Sequence, residues 1–257
     1  MKGLRSGGRA LDRAALMPYN GGRIEAGSAP KRAQHRGKQR GIRMHSNMKA
    51  AIFDMDGTLI DSMGAWRALN ISFLREQGIE PTPQEEQTLY SMTGTMVVDY
   101  VKQRFGVDAC FDDLLTRALE RMEPVYQEGV PLKPGAAAYL KRLRARGVKT
   151  VVATATPARL ALIALNRAGL VPELDYIYTT DIIGGHKGER AFFDKLCALI
   201  GERNEDCVMF EDGLYAMRGA RSAGLGVIGI TDPTNATDRE GIAAVCDRVI
   251  DSYDELP

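Results

Sequence analysis

Charged and polar residues stand directly after several short apolar runs of this 257-residue sequence. Parallel strands end at one edge of a sheet, and ligands of open α/β sheets bind outside that edge. A polar residue that follows an apolar run is therefore a candidate for chemistry. The candidates are Asp54 and Asp56 after "AAIF", Thr154 at the end of "VKTVVAT", Glu211 and Asp212 after "VMF", and Lys187 beyond "YIYTTD".

The types of these residues point to phosphate chemistry around a metal ion. Neighbouring carboxylates repel one another unless a cation joins them, and hard oxygen ligands select Mg²⁺. A metal ion and Lys187 would attract a phosphate, and a hydroxyl such as that of Thr154 can hold one of its oxygens. An aspartate can attack phosphorus, and a second carboxylate can protonate the leaving oxygen and then activate water. Asp56 points to the same side as Asp54 if the backbone between them is extended.

A repeated unit predicts the elements that position these residues. From residue 49 onward, amphipathic helical segments end at a glycine and a short apolar run follows, as in "AYLKRLRARG" before "VKTVVATAT". Gly147, Gly169, Gly201 and Gly224 occupy the place where the residue after a helix adopts a left-handed backbone. The apolar runs lack polar alternation, which favours strands buried on both faces. We therefore predict an α/β fold with a doubly wound, mostly parallel sheet.

Residues 65–130 interrupt this alternation with helical segments and no convincing strand. The stretch "AWRALNISFLREQG", for example, places Trp66 and Phe73 at helical spacing. We predict a helical cap domain at 65–130, inserted into a core formed by 48–64 and 131–257. The aromatic stripe is interpreted as the hydrophobic core of the insertion rather than as part of a ligand site.

The composition is that of an ordinary globular protein, with 44% hydrophobic and 26% charged residues. No apolar run approaches the roughly 18 residues that a membrane-spanning helix needs, so no membrane partner is expected. The four cysteines show neither metal-ligand spacing nor a disulfide-dense pattern. They are interpreted as reduced thiols, which predicts a cytoplasmic location.

The first 47 residues differ in charge from the rest of the chain. Residues 1–47 contain eleven Lys or Arg and two acidic residues, a net charge of +9, whereas the whole chain is +1, which leaves −8 for residues 48–257. Low hydrophobicity with high net charge predicts disorder. Three interpretations stay open: a non-native extension before Met48 or Met44, an organellar transit peptide, and a basic arm. The arm is the least supported because no aromatic residues are interleaved, so no nucleic-acid partner is expected.

Four elements in this order resemble the haloacid dehalogenase superfamily: "DMDGT" after an apolar strand, a strand-end threonine, a loop lysine and "FEDG". The resemblance is greatest to the group with a helical cap after the first motif, that of phosphoglycolate phosphatase and β-phosphoglucomutase. It covers roughly residues 48–257. It implies a phosphatase that requires Mg²⁺ and acts on a small phosphorylated metabolite, with a sugar or polyol phosphate as the expected substrate.

The resemblance also implies a role for each candidate. Asp54 would be the nucleophile and Asp56 the general acid and base, with the backbone carbonyl of Asp56 facing the metal ion. The implied phosphate-binding residues are Gly57, Thr58, Thr154 and Lys187. The implied metal ligands are Asp54, Asp56, Glu211 and Asp212.

The sequence departs from the family pattern at three places. The lysine is normally followed by proline but here by Gly188, so its loop is expected to be looser. Gly213 stands where many relatives have serine, and Ala216 replaces a usual glycine.

Other activities of the superfamily stay open beside the phosphatase. A mutase is disfavoured because no arginine follows "SMTGTMVVDY" until Arg104, and a phosphonate hydrolase would need Lys102 of the insertion as its Schiff-base lysine. A non-catalytic binding protein on the same fold is a further alternative. The sequence does not identify the substrate or the oligomeric state.

Overall fold

In a computed structural model of the chain, the structure describes residues 48–90, 92, 94–107 and 110–257. The prediction of disorder for residues 1–47 lies outside these ranges. Within the described part, the chain forms one parallel sheet covered by helices, with five helices between the first and second strands, of which the first four form the insertion.

The sheet contains six strands in the order β3-β2-β1-β4-β5-β6, and every neighbouring pair is parallel. The prediction of a doubly wound α/β fold is therefore confirmed. Strands β1 to β4 match the apolar runs quoted above and β5 matches the further run "LGVIGITD", whereas β6 is too short and too exposed to give such a signal. The strands are β1 (Ala50–Phe53), β2 (Lys149–Thr154), β3 (Tyr176–Thr179), β4 (Cys207–Glu211), β5 (Gly226–Ile230) and β6 (Arg248–Ile250).

The core lies on both faces of the sheet, as the apolar strands predict. Phe53 and Phe210 of the central strands stack at 4.5 Å between ring centroids on one face. Ile52 and Met209, one residue earlier in each strand, are buried against the helices of the other face. Alternate residues of one strand thus enter different clusters, which explains why these strands show no polar alternation.

Helices alternate with the strands after residue 130. They are α5 (Ala136–Ala145), α6 (Ala158–Arg167), α7 (Thr180–Ile183), α8 (Arg190–Ile200), α9 (Leu214–Ala223) and α10 (Arg239–Val245). The four glycines predicted to end helices all have positive φ angles, between 70° and 93°. The one-turn helix α7 and the short helix α10 were not predicted because neither has a sustained apolar period.

The insertion consists of four helices: α1 (Met63–Glu76), α2 (Pro83–Tyr90), α3 (Gly94–Phe105) and α4 (Phe111–Glu128). They share a small core of their own that includes Phe73, Leu74 and Val101. Helix α2 was missed, although Thr82 and Glu85 exchange the reciprocal hydrogen bonds of a capping box at its start. The helical nature of the insertion agrees with the prediction, and its limits at 65 and 130 stay a prediction.

The two chain segments that connect the insertion to the core are joined by hydrogen bonds. The Asp61 backbone N–H donates to the Pro131 carbonyl at 2.8 Å, and Ile60 forms an isolated bridge with Leu132. From the other side, the hydroxyl of the buried Tyr253 donates to the Thr58 carbonyl at 3.2 Å. The loop after β1 is therefore fixed at both its insertion end and its base. Among the described residues, no helix combines the length and apolarity required to span a bilayer.

Candidate active site

The loops at the carboxyl ends of the strands form one cavity of about 370 Å³ between the core and the helical insertion. Asp54 follows β1, Thr154 ends β2, and Glu211 and Asp212 lie at the end of β4. Lys187 reaches the same cavity from the loop between α7 and α8. The structure therefore brings these five predicted residues together, as expected for the ends of parallel strands.

Asp54, Glu211 and Asp212 form a buried acidic cluster, with carboxylate oxygens that all lie within 4.8 Å of one another. Burial, reinforced by the other carboxylates, raises the pKa of Asp54 to about 8 even though Lys187 opposes the shift. The pKa of Asp212 is raised well above its usual range, first by burial and then by Glu211 and Asp54. Three close oxygen ligands with excess negative charge fit a divalent cation, which would remove this repulsion.

Lys187 is almost completely buried and is held by two of these carboxylates. Its Nζ lies 2.5 Å from Asp54 Oδ1 and 2.9 Å from Glu211 Oε2. Burial favours the neutral amine, but the charges of Asp54 and Glu211 outweigh it and raise the pKa of Lys187 well above its usual value. The lysine therefore stays protonated and fixes the carboxylate of Asp54.

The loop that carries Lys187 is closely packed, although proline is missing after the lysine. A Cβ atom on Gly219 of α9 would lie only 2.0 Å from the Lys187 carbonyl oxygen, so glycine is required for this approach. The Gly188 backbone N–H donates to His186 Nδ1 at 3.0 Å. The expectation of a looser loop stays a prediction, whereas the close contact of the Lys187 backbone with α9 is direct.

Gly57 and Thr58 shape the loop and hold Asp212. Gly57 has φ = +79°, and a Cβ atom there would lie 2.4 Å from Asp212 Oδ2. The Thr58 hydroxyl donates to Asp212 Oδ1 at 3.1 Å. The backbone N–H groups of both residues donate to carbonyls within the loop, those of Ile60 and Met55. Their assignment to phosphate binding stays a prediction, whereas their contact with a candidate metal ligand is direct.

The carboxylate of Asp56 lines the same cavity as Asp54 and accepts four hydrogen bonds. Ser62 Oγ and Tyr126 OH donate to Oδ1 at 2.5 Å each, and Trp66 Nε1 donates to Oδ1 at 3.2 Å. Thr156 Oγ1 donates to Oδ2 at 2.6 Å. Asp56 is thus held by both the core and helices α1 and α4, at the junction of the two parts. The expected contact of its backbone carbonyl with a metal ion stays a prediction.

Sequence reasoning missed the residues that surround Asp56. Trp66 was interpreted as core of the insertion, but its indole N–H bonds to Asp56 and to Tyr126, and its ring lines the cavity. Nothing in the local sequence indicated Tyr126 as a site residue, because it lies 70 residues from Asp56, its hydrogen-bond partner. Thr156 could have been found, since it follows Thr154 by two residues at the same strand end.

Asp232 is not among the predicted site residues, yet it is buried close to the acidic cluster. Its carboxylate pairs with Lys133 Nζ at 2.6 Å and adds to the charge that raises the pKa of Asp212. Neighbouring Asn235 donates to the Asp212 carbonyl at 3.0 Å. Asp232 thus acts on Asp212 through its charge and Asn235 through a hydrogen bond, and Asn235 also lines the cavity.

The rest of the cavity wall comes from both the insertion and the core. It combines apolar side chains with groups that can bond to hydroxyls, and Arg67 is paired with Glu86 at 2.8 Å. The lining side chains there are Met63, Arg67, Asn70, Leu89 and Met92 from the insertion, and Arg218, Thr234 and Asp238 from the core. Lys102, the lysine that a phosphonate hydrolase would need, is exposed on α3 and does not line this cavity.

A parallel α/β sheet with a buried aspartate–lysine pair at its carboxyl edge, beneath a helical insertion, defines a class of hydrolase. The sequence profile of the haloacid dehalogenase-like hydrolases matches residues 48–224, and the chain belongs to this family.

Curated relatives support this assignment, and a solved structure shares the fold. Hexitol phosphatase A of Escherichia coli K12 is 27% identical over 189 residues, which are 73% of this chain and 85% of that protein. Phosphoglycolate phosphatase of Rhodospirillum rubrum is 28% identical over 191 residues, 70% of this chain and 78% of that protein. CbbY from Rhodobacter sphaeroides, solved in complex with phosphate, has a TM-score of 0.71 at 23% identity and covers 81% of this chain and 96% of its own. This likeness shows the fold.

Proposed function

We propose that this protein is a Mg²⁺-dependent phosphatase that hydrolyses small sugar or polyol phosphates through an aspartyl-phosphate intermediate. The observation that carries the proposal is the pairing of Asp54 with Lys187 inside the acidic cluster. A carboxylate held in one orientation at the floor of a cavity is a suitable nucleophile. Similarity to hexitol phosphatase A and phosphoglycolate phosphatase supports phosphomonoesters as the substrates.

Asp54, Glu211 and Asp212 are the residues that would hold Mg²⁺. When bound, the ion would neutralise these carboxylates and polarise the phosphoryl oxygens. Lys187 keeps the Asp54 carboxylate aimed at the cavity and offers positive charge to the incoming phosphate. Thr154 contributes its hydroxyl, because its oxygen already accepts a hydrogen bond from the Thr156 backbone N–H at 3.0 Å and its proton is left to donate.

In the first step an Asp54 carboxylate oxygen forms a bond to phosphorus, and the bond from phosphorus to the leaving oxygen breaks. Asp56, in its protonated form, gives its proton to that oxygen, so the alcohol leaves as a neutral molecule. In the second step Asp56 takes a proton from water, and the water oxygen bonds to phosphorus. The bond to Asp54 breaks, which releases phosphate and restores both aspartates.

The cavity supports a substrate with a hydroxyl-rich leaving group. Its volume of about 370 Å³ falls within the range of small-molecule sites. Asn70, Thr234 and Asp238 also line it and can bond to hydroxyl groups. The helical insertion lies over the acidic cluster, which limits access to small molecules and excludes bulk water during the reaction.

The test is release of inorganic phosphate from p-nitrophenyl phosphate and from a panel of hexitol, hexose and two-carbon phosphates. We expect turnover with Mg²⁺, loss of turnover with EDTA, and a loss of about a thousandfold or more for Asp54→Asn. Asp99→Asn, an exposed position on α3, serves as the matched control and is expected to retain activity. Equal turnover by Asp54→Asn and the wild-type protein would exclude Asp54 as the nucleophile. Isomerised sugar phosphate without phosphate release would identify a mutase instead.

A further inference from the structure

One polar side chain near the acidic cluster has no part in the proposed reaction: Tyr215, in the first turn of α9. It lines the cavity together with Asp54 and Lys187. Its ring packs against the imidazole of His186, with 5.0 Å between the ring centroids. Its Cε1 atom lies 3.1 Å from the position that a Cβ atom on Gly213 would occupy. The ring is therefore held between the lysine loop and the residue that follows Asp212.

The hydroxyl of Tyr215 is an unused donor. In the described part of the chain no group forms a hydrogen bond with it, although the hydroxyls of Tyr126 and Tyr253 both have partners. The hydroxyl oxygen of Tyr215 is also partly accessible to solvent. Among the described residues, the only fully buried side-chain nitrogen or oxygen without a hydrogen-bond partner is Arg142 Nε, so the unpaired Tyr215 oxygen is not fully buried. Burial raises the pKa of Tyr215 well above its usual value, so the hydroxyl keeps its proton.

Lys187 and Thr154 offer few free donors to a phosphoryl group. A protonated lysine has three N–H donors, and Lys187 directs one at Asp54 and one at Glu211. One N–H is left for a ligand, and the Thr154 hydroxyl supplies a second donor. A transferring phosphoryl group has three non-bridging oxygens, each able to accept hydrogen bonds. The hydroxyl of Tyr215 is available as a third donor from a side chain.

We propose that Tyr215 is a further phosphate-binding residue, whose hydroxyl donates to a non-bridging oxygen of the phosphoryl group held by Lys187 and Thr154. The inference rests on the proposed phosphatase function and adds a residue to it. Because the ring is fixed by His186 and by the backbone at Gly213, the hydroxyl is held in place before the ligand arrives. A preorganised donor of this kind stabilises charge at little cost in side-chain entropy.

The test is Tyr215→Phe, which keeps the ring and removes only the hydroxyl. Loss of a hydrogen bond to a charged group is expected to weaken binding of inorganic phosphate, measured by calorimetry with Mg²⁺ present, by about 10- to 100-fold. Inhibition by orthovanadate should weaken by a similar factor. The kcat/KM values should fall equally for p-nitrophenyl phosphate and for a sugar phosphate, because the phosphoryl group is common to both. The melting temperature should stay within about 1 °C of the wild-type value.

Tyr178→Phe on β3 is the matched control, since the Tyr178 hydroxyl also has no hydrogen-bond partner among the described residues and lies outside the cavity. It should leave every value unchanged. Phosphate binding and kcat/KM within twofold of wild type in Tyr215→Phe would overturn the inference. A loss confined to Mg²⁺ affinity would overturn it too. If the wild-type protein binds phosphate but hydrolyses no phosphomonoester, the proposed function fails, while the binding measurement still decides the role of Tyr215.

Discussion

Replacement of Asp212 by asparagine should stabilise the metal-free protein and at the same time remove its response to Mg²⁺. Asp212 lies within 4.8 Å of the carboxylates of Asp54 and Glu211, and burial and these neighbours raise its pKa. Asparagine removes the charge but keeps a side-chain oxygen that can accept the hydrogen bond from Thr58. The substitution therefore relieves repulsion without leaving a buried donor unpaired.

The size of the stabilisation by Asp212→Asn follows from the distance between the carboxylates and from the free-energy cost of protonating Asp212. Two unit charges at the upper limit of 4.8 Å repel by about 3.5 kcal/mol at an effective dielectric constant of ~20, and closer charges repel more. The carboxyl group avoids this cost by binding a proton when folded, which costs about 1.4 kcal/mol for each pH unit above its ordinary pKa of 3.8. The ceiling is therefore about 4 kcal/mol at pH 7 and about 1.6 kcal/mol at pH 5. Because Lys187 offsets part of the repulsion, we expect about 2 kcal/mol at pH 7, or about 4–8 °C in Tm.

The sign of the pH dependence is also fixed. When folding raises the pKa of a carboxyl group, the free energy of unfolding falls as the pH rises from the pKa in the unfolded state toward the pKa in the folded state. The advantage of Asp212→Asn should consequently grow from pH 5 to pH 8 in EDTA.

Thermal melting after dialysis against EDTA, followed by titration with Mg²⁺, measures both parts of the prediction. The wild-type Tm should rise with Mg²⁺ and that of Asp212→Asn should not, because a ligand stabilises only a protein that binds it. Asp99→Asn should melt within about 1 °C of the wild-type protein at each pH. A metal-free Asp212→Asn that melts at or below the wild-type temperature, or a difference that does not shrink at pH 5, would refute the reasoning.

Three further predictions concern the loop after β1, the cap and the amino-terminal segment. Tyr126→Phe removes one of four donors to the acid–base carboxylate and should lower turnover of alkyl phosphates about tenfold. Turnover of p-nitrophenyl phosphate, whose leaving group needs no proton, should fall less, and equal losses would contradict the assignment. Gly57→Ala places a Cβ atom 2.4 Å from Asp212 Oδ2 and should weaken Mg²⁺ affinity about tenfold or more. Gly78→Ala, with a similar φ of +75° and nothing within 4 Å, is the control that should not. Deletion of residues 1–47 should leave Tm and kcat unchanged, because the family match begins at residue 48, and lost activity would show that the segment belongs to the working protein.

The strands and the residues at their ends could be predicted from the sequence because both are local signals. An apolar run of four to six residues without polar alternation indicates a buried parallel strand, and Asp54, Thr154 and Glu211 stand where such runs stop. The parallel arrangement alone then requires their side chains to share one edge of the sheet. The missed elements, α2, α7, α10 and β6, are all short, so the apolar period on which the prediction depends has too few residues to appear.

The partners of each candidate residue were decided only by the tertiary structure. The four donors around Asp56 come from three segments of the chain: Ser62 and Trp66 at the start of α1, Tyr126 of α4, 70 residues away, and Thr156 after β2. Nothing in the local sequence distinguishes Trp66 as a donor to Asp56 from a tryptophan of the core, because helical spacing is the same in both cases. Gly219 likewise looks like any glycine in a helix until the Lys187 carbonyl is seen against it.

The sequence by itself determined which chemical groups reach the carboxyl edge of the sheet, since strand order and direction leave them no other place. Only the folded structure decided how those groups are charged and bonded. Charge state and hydrogen bonding depend on burial and on separations of a few ångströms between segments far apart in the chain. That is why the acidic cluster could be predicted from its residue types, whereas the anchoring of Asp56 and the unused hydroxyl of Tyr215 could not.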